Sequence, residues 1–248
     1  MRFTGYPRPD GSVGVRNHVV VMSSVSCANG VVDAIGRSVP EVKTITHTEG
    51  CGRWLADVTA SSRTLAGIGT NPNVGAVLVV GLGCEFLKAQ MVALQVREAG
   101  KPAETIGIQE AGGSRKATQK GIETARKMLD TVAGVERSEF GAEALTVGLE
   151  CGGSDALSGV TANPMVGACA DMLVAEGATV ILSEITEMFG TEKILARRAA
   201  SPEVAEKLLR LIAGRKEKAE ELLGHFAGTA ITPGNIEGGL TTIVEKSL

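Results

Sequence analysis

The feature that most constrains this chain is a recurring unit: a short apolar run, a glycine-rich turn, then a longer amphipathic segment. Strands are expected over 18–23, 42–46, 76–80, 105–108, 144–149 and 179–183. Helical periodicity is expected over 30–38, 53–68, 86–99, 114–133, 161–176 and 202–224. Strands that alternate with helices at this spacing build βαβ units and a largely parallel sheet. The expected fold class is therefore α/β, with a doubly wound parallel sheet.

Composition agrees with that reading. Glycine contributes 32 of 248 residues and aromatics only 3%, so the core must come from Val, Ile, Leu and Ala, as in strands buried on both faces. The net charge of -3 gives no basic field, which argues against nucleic-acid or membrane-surface partners. The opening residues read as polar and turn-like rather than as a secretory signal, and no apolar run approaches a bilayer span. A cytoplasmic location is expected.

A boundary is expected near 134–141, a polar, glycine-flanked stretch. It divides the chain into a first α/β domain over 1–135 and the start of a second over 142–248, which reads as truncated at its C-terminal end. The halves echo one another, since Val80-Gly-Leu-Gly-Cys-Glu85 parallels Val147-Gly-Leu-Glu-Cys-Gly-Gly153.

Ligands in parallel α/β sheets bind outside the carboxyl ends of the strands. Each expected strand here runs into polar or soft-ligand residues: Cys27 and Asn29, then His47, Glu49 and Cys51, then Cys84 and Glu85. Gln109 and Glu110 follow the fourth strand, Glu150, Cys151, Ser154 and Asp155 the fifth, and Glu184 and Glu187 the sixth. The five cysteines are odd in number and dispersed, which suits reactivity or metal binding better than disulfides. Cys169, inside a helical run, reads as a buried small hydrophobe. Cys51, Cys84 and Cys151 each have a glycine neighbour and an acidic or histidine residue nearby, and either hold metal or pack at crowded strand ends. A divalent ion, Fe2+ first, is the expected cofactor; an iron–sulfur cluster is the alternative. No dinucleotide, ATP or serine-hydrolase motif is present.

Taken in order, these motifs resemble the altronate/galactarate dehydratase family. The resemblance rests on Gly5-Tyr-Pro-Arg8-Pro-Asp10-Gly-Ser-Val-Gly-Val-Arg16-Asn17, His47…Gly50-Cys51-Gly52, Asn71-Pro-Asn-Val-Gly75 and Gly81-Leu-Gly-Cys-Glu85. It continues through Glu150-Cys-Gly-Gly-Ser-Asp155, Ser158-Gly, Ala162-Asn-Pro164, Ser183-Glu, Glu187, Gly234-Asn, Gly238-Gly and the closing residues 245–248. It implies a lyase that uses Fe2+, with Mn2+ an alternative, and dehydrates a sugar acid to a 2-keto-3-deoxy acid. A sulfolactate sulfo-lyase large subunit, releasing sulfite from a sulfonate, is the alternative it carries, together with a small separate subunit as partner. Self-association into a homo-oligomer stays open. On this reading His47, Cys51, Cys84 and Cys151 are candidate metal ligands. Glu85, Glu184, Glu187 and Asp155 are candidate acid–base groups. Arg16 is the candidate carboxylate clamp, and Asn17, Ser154 and Asn163 hydrogen-bond substrate hydroxyls. Two other classes stand beside the lyase, a non-catalytic binding subunit and a redox protein.

Overall fold

The computed structural model describes residues 1–224 and 231–247. His225, which follows the expected helix over 202–224, and Leu248, last in the closing motif, lie outside them. The chain divides into two compact units, Arg2–Ala144 and Leu145–Leu248 with Met1.

The first unit runs β1 (Arg2–Pro7), β2 (Val13–Gly14), β3 (His18–Ser23), α1 (Asn29–Ser38), β4 (Lys43–Ile45), α2 (Leu55–Thr70) and β5 (Val74–Gly81). It continues with α3 (Ala89–Glu98), β6 (Ala103–Gly107), α4 (Ser114–Ala133) and β7 (Ser138–Gly141). Its main sheet is all parallel, in the order β4-β3-β5-β6. Alternation along the strands decides which face each residue joins. Val19 and Val21 of β3 and Leu78 and Val80 of β5 pack under Val32 and Ile35 of α1 and Ala125 and Met128 of α4. Val20, Met22, Val77 and Val79 point the other way, against Leu65 of α2 and Val92 and Val96 of α3. The sheet is thus doubly wound, as expected. All eight residues of β5 are buried, which is why it reads as an unbroken apolar run.

Strand order places the topological switch point between β3 and β5, because the chain leaves β3 for one neighbour and returns past it for the other. That is where a ligand crevice belongs.

The sequence reading missed a small antiparallel sheet, order β2-β1-β7. The opening residues are strand rather than turn: Arg2 pairs with Gly141 and Gly5 with Ser138. The polar stretch 134–141 accordingly contains β7, and the division between units falls after Ala144. The amino-terminal end of the parallel sheet is tied by a polar network. Buried Arg8 donates to the Pro72 carbonyl at 2.7 Å, the Asn17 Oδ1 at 2.9 Å and the Arg16 carbonyl at 3.0 Å. Asn17 passes the connection on, its Nδ2 donating to the Val132 carbonyl at 2.7 Å. Asn73 Oδ1 accepts the amides of Val15 and Arg16. Nearby, Lys101 is 3% exposed and donates to the Thr70 and Asn71 carbonyls that end α2.

The second unit runs β8 (Thr146–Leu149), α5 (Ala162–Ala175), β9 (Thr179–Leu182), α6 (Glu192–Arg197), α7 (Pro202–Leu223), α8 (Pro233–Glu237) and α9 (Ile243–Ser247). β8 and β9 pair in parallel, Thr146 with Thr179 through Leu149 with Leu182, and α5 connects them. Its likeness to the first unit therefore extends to a single βαβ crossover. α7 starts where sequence rules place a start, with Ser201 accepting the Val204 amide and Pro202 at the first turn. α5 buries none of its residues, and Cys169, expected in a core, is exposed on it. No helix among the described residues is long and apolar enough to cross a membrane.

Candidate active site

At the carboxyl edge of the first sheet, β5 ends at Gly81 and the chain turns back through Gly83 to Glu85. Glu85 is 3% exposed. Its Oε2 accepts the Gly83 amide at 2.6 Å, and its Oε1 receives the Ser24 hydroxyl across the switch point at 3.4 Å. A charged group so deep must be held by donors, and the turn supplies them. Glu85 lines a cavity of about 450 Å³ with Lys88, Gln90, Gln109, Glu110 and the glycines 81, 83 and 107.

The loops after β3 and β4 meet on the same edge. Asn29 accepts from Ser23 and donates to the His47 carbonyl. Gly50, at φ 106, lies so close that a methyl there would sit 2.7 Å from the Val25 Cα. His47 has both ring nitrogens engaged by backbone: Nε2 lies 2.8 Å from the Ser23 carbonyl, and Nδ1 accepts the Glu49 amide at 3.1 Å. That pattern fixes the tautomer with hydrogen on Nε2 and offers no lone pair to an ion. Cys51 and Cys84 stand exposed on this edge, whereas Cys151 belongs to the second unit. Among the described residues, no three His, Cys, Asp or Glu side chains gather closely enough to hold a metal ion. Neither unit by itself fits the expected iron.

The second unit brings more of the expected residues together. Cys151, Ser154, Asn163, Glu184 and Glu187 all line one cavity of about 400 Å³, between the ends of β8 and β9 and the first turn of α5. Glu184 follows β9 in the left-handed region, φ 59 and ψ 69, the one non-glycine residue with positive φ among those described. This conformation strains an L residue. It turns the carboxylate back so that Oε2 accepts the Cys151 amide at 2.6 Å. The half-buried Cys151 thiol lies 3.5 Å from the Ser154 hydroxyl. Asp155 is used differently, its Oδ1 accepting the amides of Leu157 and Ser158 and so shaping the turn below the cavity. The loop is braced from α8, where Asn235 donates to the Ser154 carbonyl at 3.1 Å. A methyl at Gly238 would press on Asp155.

Arg16 and Asn17 sit with neither cavity. They precede β3, at the opposite end of the sheet from Glu85. A six-residue strand sets about 20 Å between the two ends. Both polar ends of Asn17 are spent on the network described above. Gln109 and Glu110, read from sequence as polar residues after the fourth strand, line the first cavity together with Lys88, to which no strand-end signal points.

Fold and cavities together define an α/β protein whose polar groups converge at strand ends. Residues 5–133 match the model of the D-galactarate dehydratase/altronate hydrolase second domain, and residues 142–248 match the D-galactarate/altronate dehydratase C-terminal model. The chain belongs to the galactarate/altronate dehydratase family. It is 32% identical to the altronate dehydratase of Bacillus subtilis (strain 168), an overlap covering 99% of this chain and 51% of that protein. It is 34% identical to the (2R)-sulfolactate sulfo-lyase subunit beta of Chromohalobacter salexigens, covering 99% of this chain and 63% of the relative. Identity to the galactarate dehydratase (L-threo-forming) of Escherichia coli (strain K12) is also 34%, over 99% of this chain and 51% of that one. The chain thus spans between half and two thirds of the length of these relatives.

Proposed function

We propose that this chain carries reaction groups of a lyase that removes water from a sugar acid, leaving a 2-keto-3-deoxy acid. One observation carries the reading: Ser154, Asn163, Glu184 and Glu187 share a single cavity, with Glu184 turned into place by the Cys151 amide. In a 2,3-dihydroxy acid, the proton on C2 is removed and its electron pair forms the C2–C3 double bond. The C3–O bond breaks and the hydroxyl leaves as water after receiving a proton. The resulting enol then becomes the 2-keto acid.

Glu184 is the base. One of its oxygens is held by the Cys151 amide, which leaves the other for the substrate. Glu187, on the same cavity wall, is the acid that protonates the departing hydroxyl. The Ser154 hydroxyl and the Asn163 amide hydrogen-bond the remaining substrate oxygens. Every proton step runs through carboxylates, and none is assigned to a metal.

The test is turnover of Glu184→Gln in the intact native protein, read as appearance of the 2-keto-3-deoxy acid. A loss of about 10² to 10⁴-fold is expected; near-wild-type turnover would remove Glu184 from the mechanism. A second reading, a carbon–sulfur lyase expelling sulfite, uses the same proton abstraction. The 34% identity to a (2R)-sulfolactate sulfo-lyase subunit favours keeping it, and assaying for released sulfite separates the two.

A further inference from the structure

The cavity beside the switch point of the first sheet is built for a ligand as well. Gly81 and Gly107 are register partners at the ends of neighbouring strands. A methyl at Gly81 would sit 2.5 Å from Oε1 of Glu85, and one at Gly107 would sit 3.3 Å from Oε2 of Glu110. Gly83, at φ 136, leaves the space that the Gln109 amide fills. Each glycine therefore makes room for one polar side chain of the cavity. Neighbouring strands lie about 4.8 Å apart, so the two carboxylates stand within about 11 Å of one another. Lys88 lines the same wall, anchored by its Nζ to the Gly83 carbonyl at 2.9 Å.

The groups set the ligand class. Two carboxylates only accept hydrogen bonds, the Lys88 ammonium only donates, and the Gln109 amide does both. With two glutamates against one lysine, acidic side chains outnumber basic ones in the lining. A dianionic acid is repelled by such a lining, whereas a chain of neutral hydroxyl groups, each both donor and acceptor, satisfies every wall. We propose that this cavity binds a short polyhydroxylated carbon chain through Glu85, Glu110, Lys88 and Gln109. The inference extends the sugar-acid reading to a second place in the protein and rests on it for the ligand's polyol character. The cavity is a binding site in its own right.

The test is calorimetric titration of the native protein with galactitol, a neutral six-carbon polyol, and in parallel with galactarate. Saturable galactitol binding is expected at millimolar concentrations. Glu110→Gln should weaken it about ten-fold, because an acceptor of hydroxyl hydrogen bonds loses its charge. Glu110 is exposed, so that variant should fold as wild type, which an unchanged melting temperature verifies. Glu184→Gln should leave galactitol binding untouched. Failure to bind galactitol, or equal binding by Glu110→Gln, overturns the inference even if the lyase reading survives. Galactitol binding with no lyase turnover in the wild type would sink the reaction and spare the site.

Discussion

Glu184 Oε2 accepts the amide of Cys151 at 2.6 Å, linking the residues that follow two paired parallel strands. The bond is made from a left-handed backbone, so the geometry of the proposed base is held at the expense of local strain.

Replacing Glu184 by glycine should therefore separate stability from activity. The left-handed penalty for an L residue is about 1–2 kcal/mol, and glycine escapes it. Glu184→Gly is expected to gain about 1 kcal/mol in urea denaturation while abolishing dehydration. A destabilised variant would show that the carboxylate contributes more to the fold than the strain takes away.

Asn17 should behave in the opposite way. Its amide bridges Arg8 and Val132, and removing it takes one of three hydrogen-bond acceptors from a buried guanidinium. Asn17→Ala is expected to cost about 1–3 kcal/mol of stability. Galactitol affinity should be unchanged, because the residue lies at the far end of the strand from the cavity.

Lys101 predicts a pH dependence. Burial lowers its pKa from 10.5 to about 8, with the Arg8 charge adding to the shift and Asp10 opposing it. Between those values the unfolded chain holds a proton that the folded chain has released, so stability rises with pH across that window. Below about 8 the gain is absent. Lys101→Met should flatten that rise, measurable by comparing denaturation of the two proteins at pH values on either side of the window.

Chelation gives a further test. Melting temperatures with and without EDTA test whether the protein holds the divalent ion expected from its sequence. A large drop would reveal a metal whose binding supports the fold.

The parallel framework was legible because each strand declares itself locally. The apolar run at β5 and the start of α4 at Ser114 fall where pattern and turn chemistry put them. β1 and β7 were not legible, because their pairing joins residues more than 130 positions apart and neither strand is apolar enough to stand out. The site was half legible for a related reason. A polar residue after a strand reads as a site residue, and Glu184, Ser154 and Asn163 do line a cavity. Arg16 and Asn17 have the same polar, glycine-rich neighbourhood in sequence. Only the path of the chain reveals that their neighbours are the Pro72 and Val132 carbonyls. His47 is similar: whether its nitrogens face an ion or the Ser23 carbonyl depends on how two loops cross.

The network at the amino end of the first sheet also has a meaning for how this protein can change. Arg8, Asn17, Asn73 and Lys101 hold strand starts and helix ends together without reaching the cavity. Substitutions around Lys88, Gln109 and Glu110 can alter what is bound while the scaffold stays intact. A library that randomises the carboxyl edge should yield mostly folded proteins with diverse ligand preferences. One that randomises the amino edge should yield few folded proteins, and those should keep the preference of the parent.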